Sequence, residues 1–311
     1  DRAGCGVFGY RFAGYDGIVI QGKSGKPVYL LISDGKAELK DASDLWGKGA
    51  LRTRDVLKTE LGEKTRIVAI GPAGENLVTT ATVLADNDAS GSGGMGAVMG
   101  SKKLKAIAVR GSEKKVNIAH PDRLRELAQF IRNTGKGNLP AWGMDFMVYG
   151  PNTRKEPCYG CLGNCLRIKY SGENGITGKY MCQSRFFYYA WALGYYCAEN
   201  DVPFYAVKLC DEYGLDTWTL QTLLEWLCPC FAAGLLTEEE TGVPISQIGS
   251  AEFIEKLVRM ISLREGFGDI LALGRDRAAE KIGSEAVALI KPADAYEPRM
   301  YIHNAMIYPF E

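Results

Sequence analysis

Apolar and polar positions alternate differently in the two halves of the chain. Near the start, Pro27-Val28-Tyr29-Leu30-Leu31-Ile32-Ser33 is a β-branched and aromatic run. Asp34-Gly35-Lys36 follows with turn chemistry before Ala37-Glu38-Leu39, so a hairpin is predicted there. Asp44 to Leu61 has helical spacing, Arg66-Ile67-Val68-Ala69-Ile70 reads as a short buried strand, and Gly71-Pro72-Ala73-Gly74 reads as a turn. Ala106-Ile107-Ala108-Val109 predicts another strand. Beyond Gly111 the period changes. Pro121-Asp122 opens a helix to Arg132 with Leu124, Leu127, Phe130 and Ile131 on one face, and 135–157 is loop-rich. Helical spacing then dominates over Phe186–Asn200, Pro203–Tyr213, Leu220–Ala233, Ala251–Leu263 and Asp269–Lys281. The expected fold class is α+β, a β-rich N-terminal part followed by a mostly α-helical domain. The expected boundaries are 1–112, 113–292 and 293–311, the last the start of a further helical domain. The opening at Asp1 without Met suggests a fragment of a larger chain.

Composition narrows the function. The chain has 311 residues with 37 basic and 37 acidic side chains, so charge offers no case for nucleic acid. The richest apolar stretch, Phe186 to Cys197, is shorter than the ~20 residues a membrane helix needs. Nine irregularly spaced cysteines fit metal-bound and free thiols in a reducing, cytoplasmic setting better than a secreted disulfide scaffold.

Three of those thiols, Cys158, Cys161 and Cys165, stand in the spacing Cys-x2-Cys-x3-Cys. An iron–sulfur cluster accepts thiolates at short spacing with a distant fourth ligand. Zinc would want a second Cys/His pair, and the two histidines, His120 and His303, are isolated from one. Spacing favours iron–sulfur and leaves zinc and a non-metal explanation open. Gly91-Ser92-Gly93-Gly94-Met95-Gly96 satisfies G-x-G-x-x-G, yet no strand precedes it and a strand follows soon after, against the dinucleotide fingerprint. Gly100-Ser101-Lys102 has Ser and Lys in the wrong order for a P-loop. Either the backbone approaches an anion there or the run is a structural turn. Cys210-Asp211-Glu212-Tyr213-Gly214-Leu215-Asp216-Thr217 reads by itself as a helix end with an acidic loop.

Taken in order, several motifs resemble the aldehyde ferredoxin oxidoreductase family of tungsten, occasionally molybdenum, enzymes. They are Gly71-Pro72-Ala73-Gly74-Glu75-Asn76-Leu77, the run from Gly93 to Val109, the cysteine cluster, Asp211–Asp216 and Arg264-Glu265-Gly266-Phe267-Gly268-Asp269. The resemblance covers essentially the whole chain. It implies a tungsten (or molybdenum) bis-pterin centre and a 4Fe–4S cluster. Cys158, Cys161 and Cys165 would be three cluster ligands, with the fourth beyond Glu311. Asp211, Gly214, Leu215 and Asp216 would form one of two pterin loops, and Ser92, Gly93 and Gly94 would lie near pterin. By the same resemblance 1–112 is the end of a pterin-binding domain.

Two departures matter. Ser92 stands where the family usually has Arg. Gly178-Lys179-Tyr180-Met181-Cys182-Gln183 replaces a Pro-Glu-Tyr-Glu-like stretch, so Met181 occupies the place of a candidate acid/base carboxylate. Tyr180 and Cys182 become the catalytic candidates, Cys182 as a soft ligand to tungsten or near it, or else as a buried free thiol. The implied chemistry is aldehyde/carboxylate interconversion with ferredoxin or a partner Fe–S subunit, in an anaerobic oligomer acting on a small molecule. Aromatic acyl-CoA reduction, as in class II benzoyl-CoA reductases, is the alternative, and a non-catalytic Fe–S electron-transfer subunit is a third. The aromatics from Phe186 to Tyr196 could line a pocket, but core packing is the better expectation.

Overall fold

The computed structural model describes residues 13–15, 17–111, 118–134, 152–156, 168–173, 175–180, 184 and 186–291. The N-terminal part is a six-stranded mixed sheet of β1 (Val28–Ser33), β2 (Lys36–Asp41), β3 (Arg66–Ile70), β4 (Val83–Ala85), β5 (Ser90–Gly91) and β6 (Leu104–Arg110), in the order β2-β1-β6-β3-β4-β5. β1 pairs antiparallel with β2 through the turn at Asp34 and Gly35, as the hairpin reading expects, and parallel with β6. Side chains alternate across it, as strand geometry requires. Tyr29, Ile67, Ala69, Ala106 and Ala108 pack against Ala50 and Leu57 of helix α1 (Ala50–Leu61). Ile32 and Val109 face the other way with Ala13.

Among the described residues the remaining α-helices are α2 (Pro72–Glu75), α3 (Met95–Ser101), α4 (Pro121–Thr134), α5 (Tyr189–Tyr196), α6 (Val202–Tyr213), α7 (Thr217–Ala232), α8 (Glu238–Thr241), α9 (Ala251–Leu263), α10 (Gly268–Leu271), α11 (Arg275–Ile282) and α12 (Ser284–Ala288). The larger core is built by α6, α7 and α9 around Phe187, Tyr188, Phe204, Leu224, Trp226 and Phe253, and draws in Ala73, Val78 and Ala81 from the N-terminal part.

Several elements differ from the periodicity. The helix expected from Asp44 starts at Ala50, because Gly47 takes φ 87° after a short 3-10 turn at Ser43–Leu45. The turn expected at Gly71–Gly74 is one turn of helix with Pro72 at its first position, where the missing N–H has no intrahelical role. Phe186–Asn200 contracts to α5, and Asp269–Lys281 divides into α10 and α11 at Gly274, φ 86°. A three-stranded antiparallel sheet, β7 (Thr153–Lys155), β8 (Ile168–Ser171) and β9 (Thr177–Lys179), was not foreseen, since strands this short carry too few residues to show a period. Helix α4 forms as expected, and its apolar stripe is exposed, Phe130 by 67%.

Tyr188 is fully buried, with its hydroxyl donating to the Ser250 carbonyl and accepting from the Gly249 N–H. Phe187 is buried beside it, whereas Tyr195 and Tyr196 are exposed, so core packing claims only the start of that aromatic stretch.

Candidate functional site

Helix α6 ends because Gly214 adopts the left-handed region, φ 76°, and both Gly214 and Leu215 return their N–H groups to the Cys210 carbonyl. The chain then reverses into α7, whose N-cap is Asp216. Its Oδ1 accepts from the N–H groups of Trp218 (2.8 Å) and Thr219 (3.2 Å). The turn is stitched to the segment 79–82 of the N-terminal part, itself a turn leading into β4. Thr82 N–H donates to the Gly214 carbonyl, Asp216 N–H donates to the Thr80 carbonyl, and Leu215 is buried in a bridge to Ala81.

The glycine run holds the opposite side of that segment. Gly93 and Gly94 take φ 76° and 74°, and Gly94 caps α3. Gly96 N–H donates to the Ala81 carbonyl, and a Cβ on Gly96 would stand 2.4 Å from the Thr82 oxygen. A Cβ on Gly100 would stand 1.9 Å from the Gly74 oxygen. The glycines at 96 and 100 therefore serve backbone-to-backbone packing. Ser92 is half-buried, and Gly93 is exposed with open space where a side chain would stand. Residues 79–82 thus touch both Gly94 and Gly96 of the glycine run and the Gly214–Asp216 turn.

Beside this lies a chain of charges. Arg54 of α1 donates to Asp88 Oδ1 (2.7 Å), and Lys208 of α6 donates to Asp88 Oδ2 (2.9 Å) and Asp211 Oδ2 (2.6 Å). The backbone N–H of Lys179, in β9, also reaches Asp88 Oδ2 (3.0 Å). Asp88, Lys208 and Asp211 are all buried. Burial would raise the Asp88 carboxyl, but Lys208 and Arg54 outweigh it and hold it well below the usual carboxylate range. Burial would also lower Lys208, and its two aspartates keep it charged and raise it. Asp211 goes the other way, because burial pushes its carboxyl up and the neighbouring Asp88 adds to that, against the pull of Lys208.

Two further contacts, one from α6 to α1 and one from β6 to α2, brace the same region. Glu212 accepts the N–H of Arg52 (3.2 Å), capping α1, whose own N-cap Gly49 has no side chain to do so. Lys105, fully buried on β6, binds Glu75 and donates to the Lys48 carbonyl (2.6 Å). Cys210 is fully buried, and burial pushes its thiol well up, so it packs as a neutral side chain.

Tyr180 lies in the core at 6% exposure, its ring 5.1 Å from Phe204 and 5.5 Å from Tyr170. Lys208 Nζ sits 5.8 Å from the same Phe204 ring centroid, so Tyr180 and the charge chain share a neighbour. Cys158, Cys161, Cys165 and Cys182 fall outside the described residues. Their described flanks converge: Lys155 pairs with Ile168, and Tyr180 N–H donates to the Ile168 carbonyl (3.0 Å), all at one end of the three-stranded sheet. Sequence reasoning missed Arg54, Asp88 and Lys208. The i, i+3 spacing of Lys208 and Asp211 was a readable hint, but Asp88 lies 120 positions from Lys208.

Comparison with known proteins places the chain in a family. The N-terminal domain model of aldehyde ferredoxin oxidoreductase matches residues 3–111, and the model of its domains 2 and 3 matches residues 92–308. A tungsten-containing aldehyde ferredoxin oxidoreductase of Pyrococcus furiosus is 37% identical over 94% of this chain and 55% of its own length. An aliphatic sulfonate oxidoreductase, WOR-like subunit, of the same organism is 31% identical over 87% of this chain and 51% of its own. The chain thus spans about half the length of these relatives. Among solved structures, the active site complex BamBC of benzoyl coenzyme A reductase with 1,5-dienoyl-CoA superposes with TM-score 0.77 at 29% identity, covering 90% of this chain and 49% of that one. The chain belongs to the aldehyde ferredoxin oxidoreductase family.

Proposed function

We propose that the whole protein is a tungsten bis-pterin, 4Fe–4S oxidoreductase that interconverts aldehydes and carboxylates, with ferredoxin or an iron–sulfur partner subunit carrying the electrons. The observation that carries this reading is that the segment 79–82 contacts both the glycine run, at Gly94 and Gly96, and the Gly214–Asp216 turn. The donor set suits a pterin, whose ring edge offers N–H groups. At Asp216 both capping bonds fall on Oδ1, and at Asp211 Lys208 takes Oδ2; the two carboxylates are the acceptors proposed for that ring edge. Leu215 and Gly214 would orient that loop, and the open face of Gly93 would let backbone come close to the ring or phosphate.

When bound, the metal centre supplies the two-electron change and the cluster passes electrons singly. Cys158, Cys161 and Cys165 are the residues proposed to hold the cluster, and Cys182, following buried Tyr180, is the residue proposed to approach the metal. With Met181 at the place of that carboxylate, a carboxylate proton relay there is absent, and a Cys182 thiolate would be a soft ligand suited to a low-potential metal. The structural likeness to the benzoyl coenzyme A reductase complex supports a second reading, aromatic acyl-CoA reduction.

The test is anaerobic purification of the full-length polypeptide, elemental analysis, and turnover of aldehydes against aromatic thioesters with a one-electron carrier. Tungsten with aldehyde turnover is expected. Thioester turnover alone would install the second reading, and about four iron per chain without tungsten or molybdenum would leave only an electron-transfer subunit.

A further inference from the structure

Lys208 is a cation shared between two halves of the molecule. Its ammonium donates to Asp211 Oδ2 on its own helix and to Asp88 Oδ2 in the turn between β4 and β5. Asp88 is in turn held by Arg54 from α1 and by the Lys179 N–H from β9. Packing leaves Lys208 little freedom: its side chain is 6% exposed, and Gly178 lies so close that a Cβ there would meet its Nζ at 2.9 Å and Asp88 Oδ2 at 2.7 Å. Four alternating charges thus run Arg54, Asp88, Lys208, Asp211, with their ends in α1 and in the Asp211–Asp216 turn. A buried carboxylate with one fixed cationic partner has one orientation, whereas without it the group turns or takes up a proton.

We propose that Lys208, anchored through Asp88 to Arg54, is the positioning residue that aims the Asp211 carboxylate at the pterin. The proposal rests on the function proposed above, and adds that the cofactor loop takes its alignment from the sheet half of the protein. Strand β9 passes directly over the pair at Gly178, where an added Cβ would press on both side chains. The loop, the strand and α1 are thereby registered to a single ammonium group. Residues of this kind, one step behind a ligand, typically change cofactor affinity about 10- to 100-fold when removed.

The experiment uses the full-length polypeptide made anaerobically, with the variants Lys208→Met, Lys208→Arg, Asp88→Asn, Asp211→Asn and Lys208→Met/Asp211→Asn. Four quantities are read on the folded fraction: tungsten per chain, pterin per chain from its fluorescent oxidation product, the tungsten(V) electron paramagnetic resonance signal, and the melting temperature. Lys208→Met is expected to lower pterin content about tenfold or more or to shift the tungsten(V) signal, and Lys208→Arg to restore it in large part. Asp211→Asn should produce the same shift, and the double variant should be no worse than the worse single variant, because both remove one interaction. Asp88→Asn keeps the Lys208–Asp211 pair but frees it from the sheet half, so it gives a smaller change in the same direction and serves if Lys208→Met does not fold. A lower melting temperature with wild-type tungsten, pterin and resonance in Lys208→Met or Asp88→Asn would overturn the proposal and leave the function standing. Wild-type protein without tungsten, molybdenum or pterin would overturn both.

Discussion

At the segment Thr79–Thr82 and at Gly71 the two halves touch backbone to backbone; at Lys208 they touch through buried charge. In the first region a Cβ on Gly71 would fall 2.4 Å from Tyr213 backbone atoms, and inside the N-terminal half Gly74, Gly96 and Gly100 interlock by the same backbone-to-backbone packing. In the second, Arg54, Asp88, Lys208 and Asp211 are ordinary large side chains that tolerate one another because their charges alternate. The backbone contact is limited by volume and the ionic contact by charge balance. A protein interior has little room to relax around an added carbon, and little dielectric response to offer an unmatched charge.

Substitutions separate the two. Gly100→Ala should have the largest effect, since its Cβ meets the Gly74 oxygen at 1.9 Å and neither backbone can step aside. A loss of about 4 kcal/mol or more is expected in denaturant unfolding, or no soluble protein at all. A near-normal midpoint would show that α2 and α3 slide apart easily. Lys208→Met conserves volume and removes charge, leaving Asp88 and Asp211 buried with one cation fewer. Breaking a buried pair from one side costs about 3 kcal/mol, and a smaller loss on Asp211→Asn in the same background would trace the cost to charge.

The next effect is on pH. The Asp88 carboxyl titrates below its unfolded value near 4, so its contribution is complete above that pH and fades as pH falls toward the folded value. Asp211, raised by burial, works in the opposite sense and partly offsets this between the two titrations. Unfolding measured from pH 6 down to pH 3 should therefore lose stability below about pH 4, and Asp88→Asn should flatten that limb. An unchanged slope in the variant would mean that other carboxylates govern acid unfolding. The smallest effect belongs to Arg123→Ala on α4, whose bond to Glu126 joins side chains 67% and 66% exposed. Its unfolding midpoint should stay within error of wild type, because water screens that pair. A shift as large as that of Lys208→Met would break the comparison.

Local chemistry left clear marks in the order of residues. The Asp34-Gly35 turn, the stop of α6 at Gly214 and the full span of α9 were all legible, because each depends on a few adjacent residues. The limits of α1, α5 and α10 were not, since glycine placement and tertiary packing overrode the helical period. The small sheet was invisible because β7 and β9 have three residues each.

For the candidate site the division is similar. The motifs Gly93-Gly94, Asp211–Asp216 and Cys158-Cys161-Cys165 could be read in order and joined to a family, because short spacing is written in the chain itself. That Gly94, Gly96 and Gly214 flank one segment, that Glu212 caps α1, and that Lys208 finds Asp88 were decided by the tertiary structure. The physical reason is range. Capping, turns and periodicity act over a few residues, whereas the pairing of Lys208 with a residue 120 positions away depends on how all the packed faces of the chain come together.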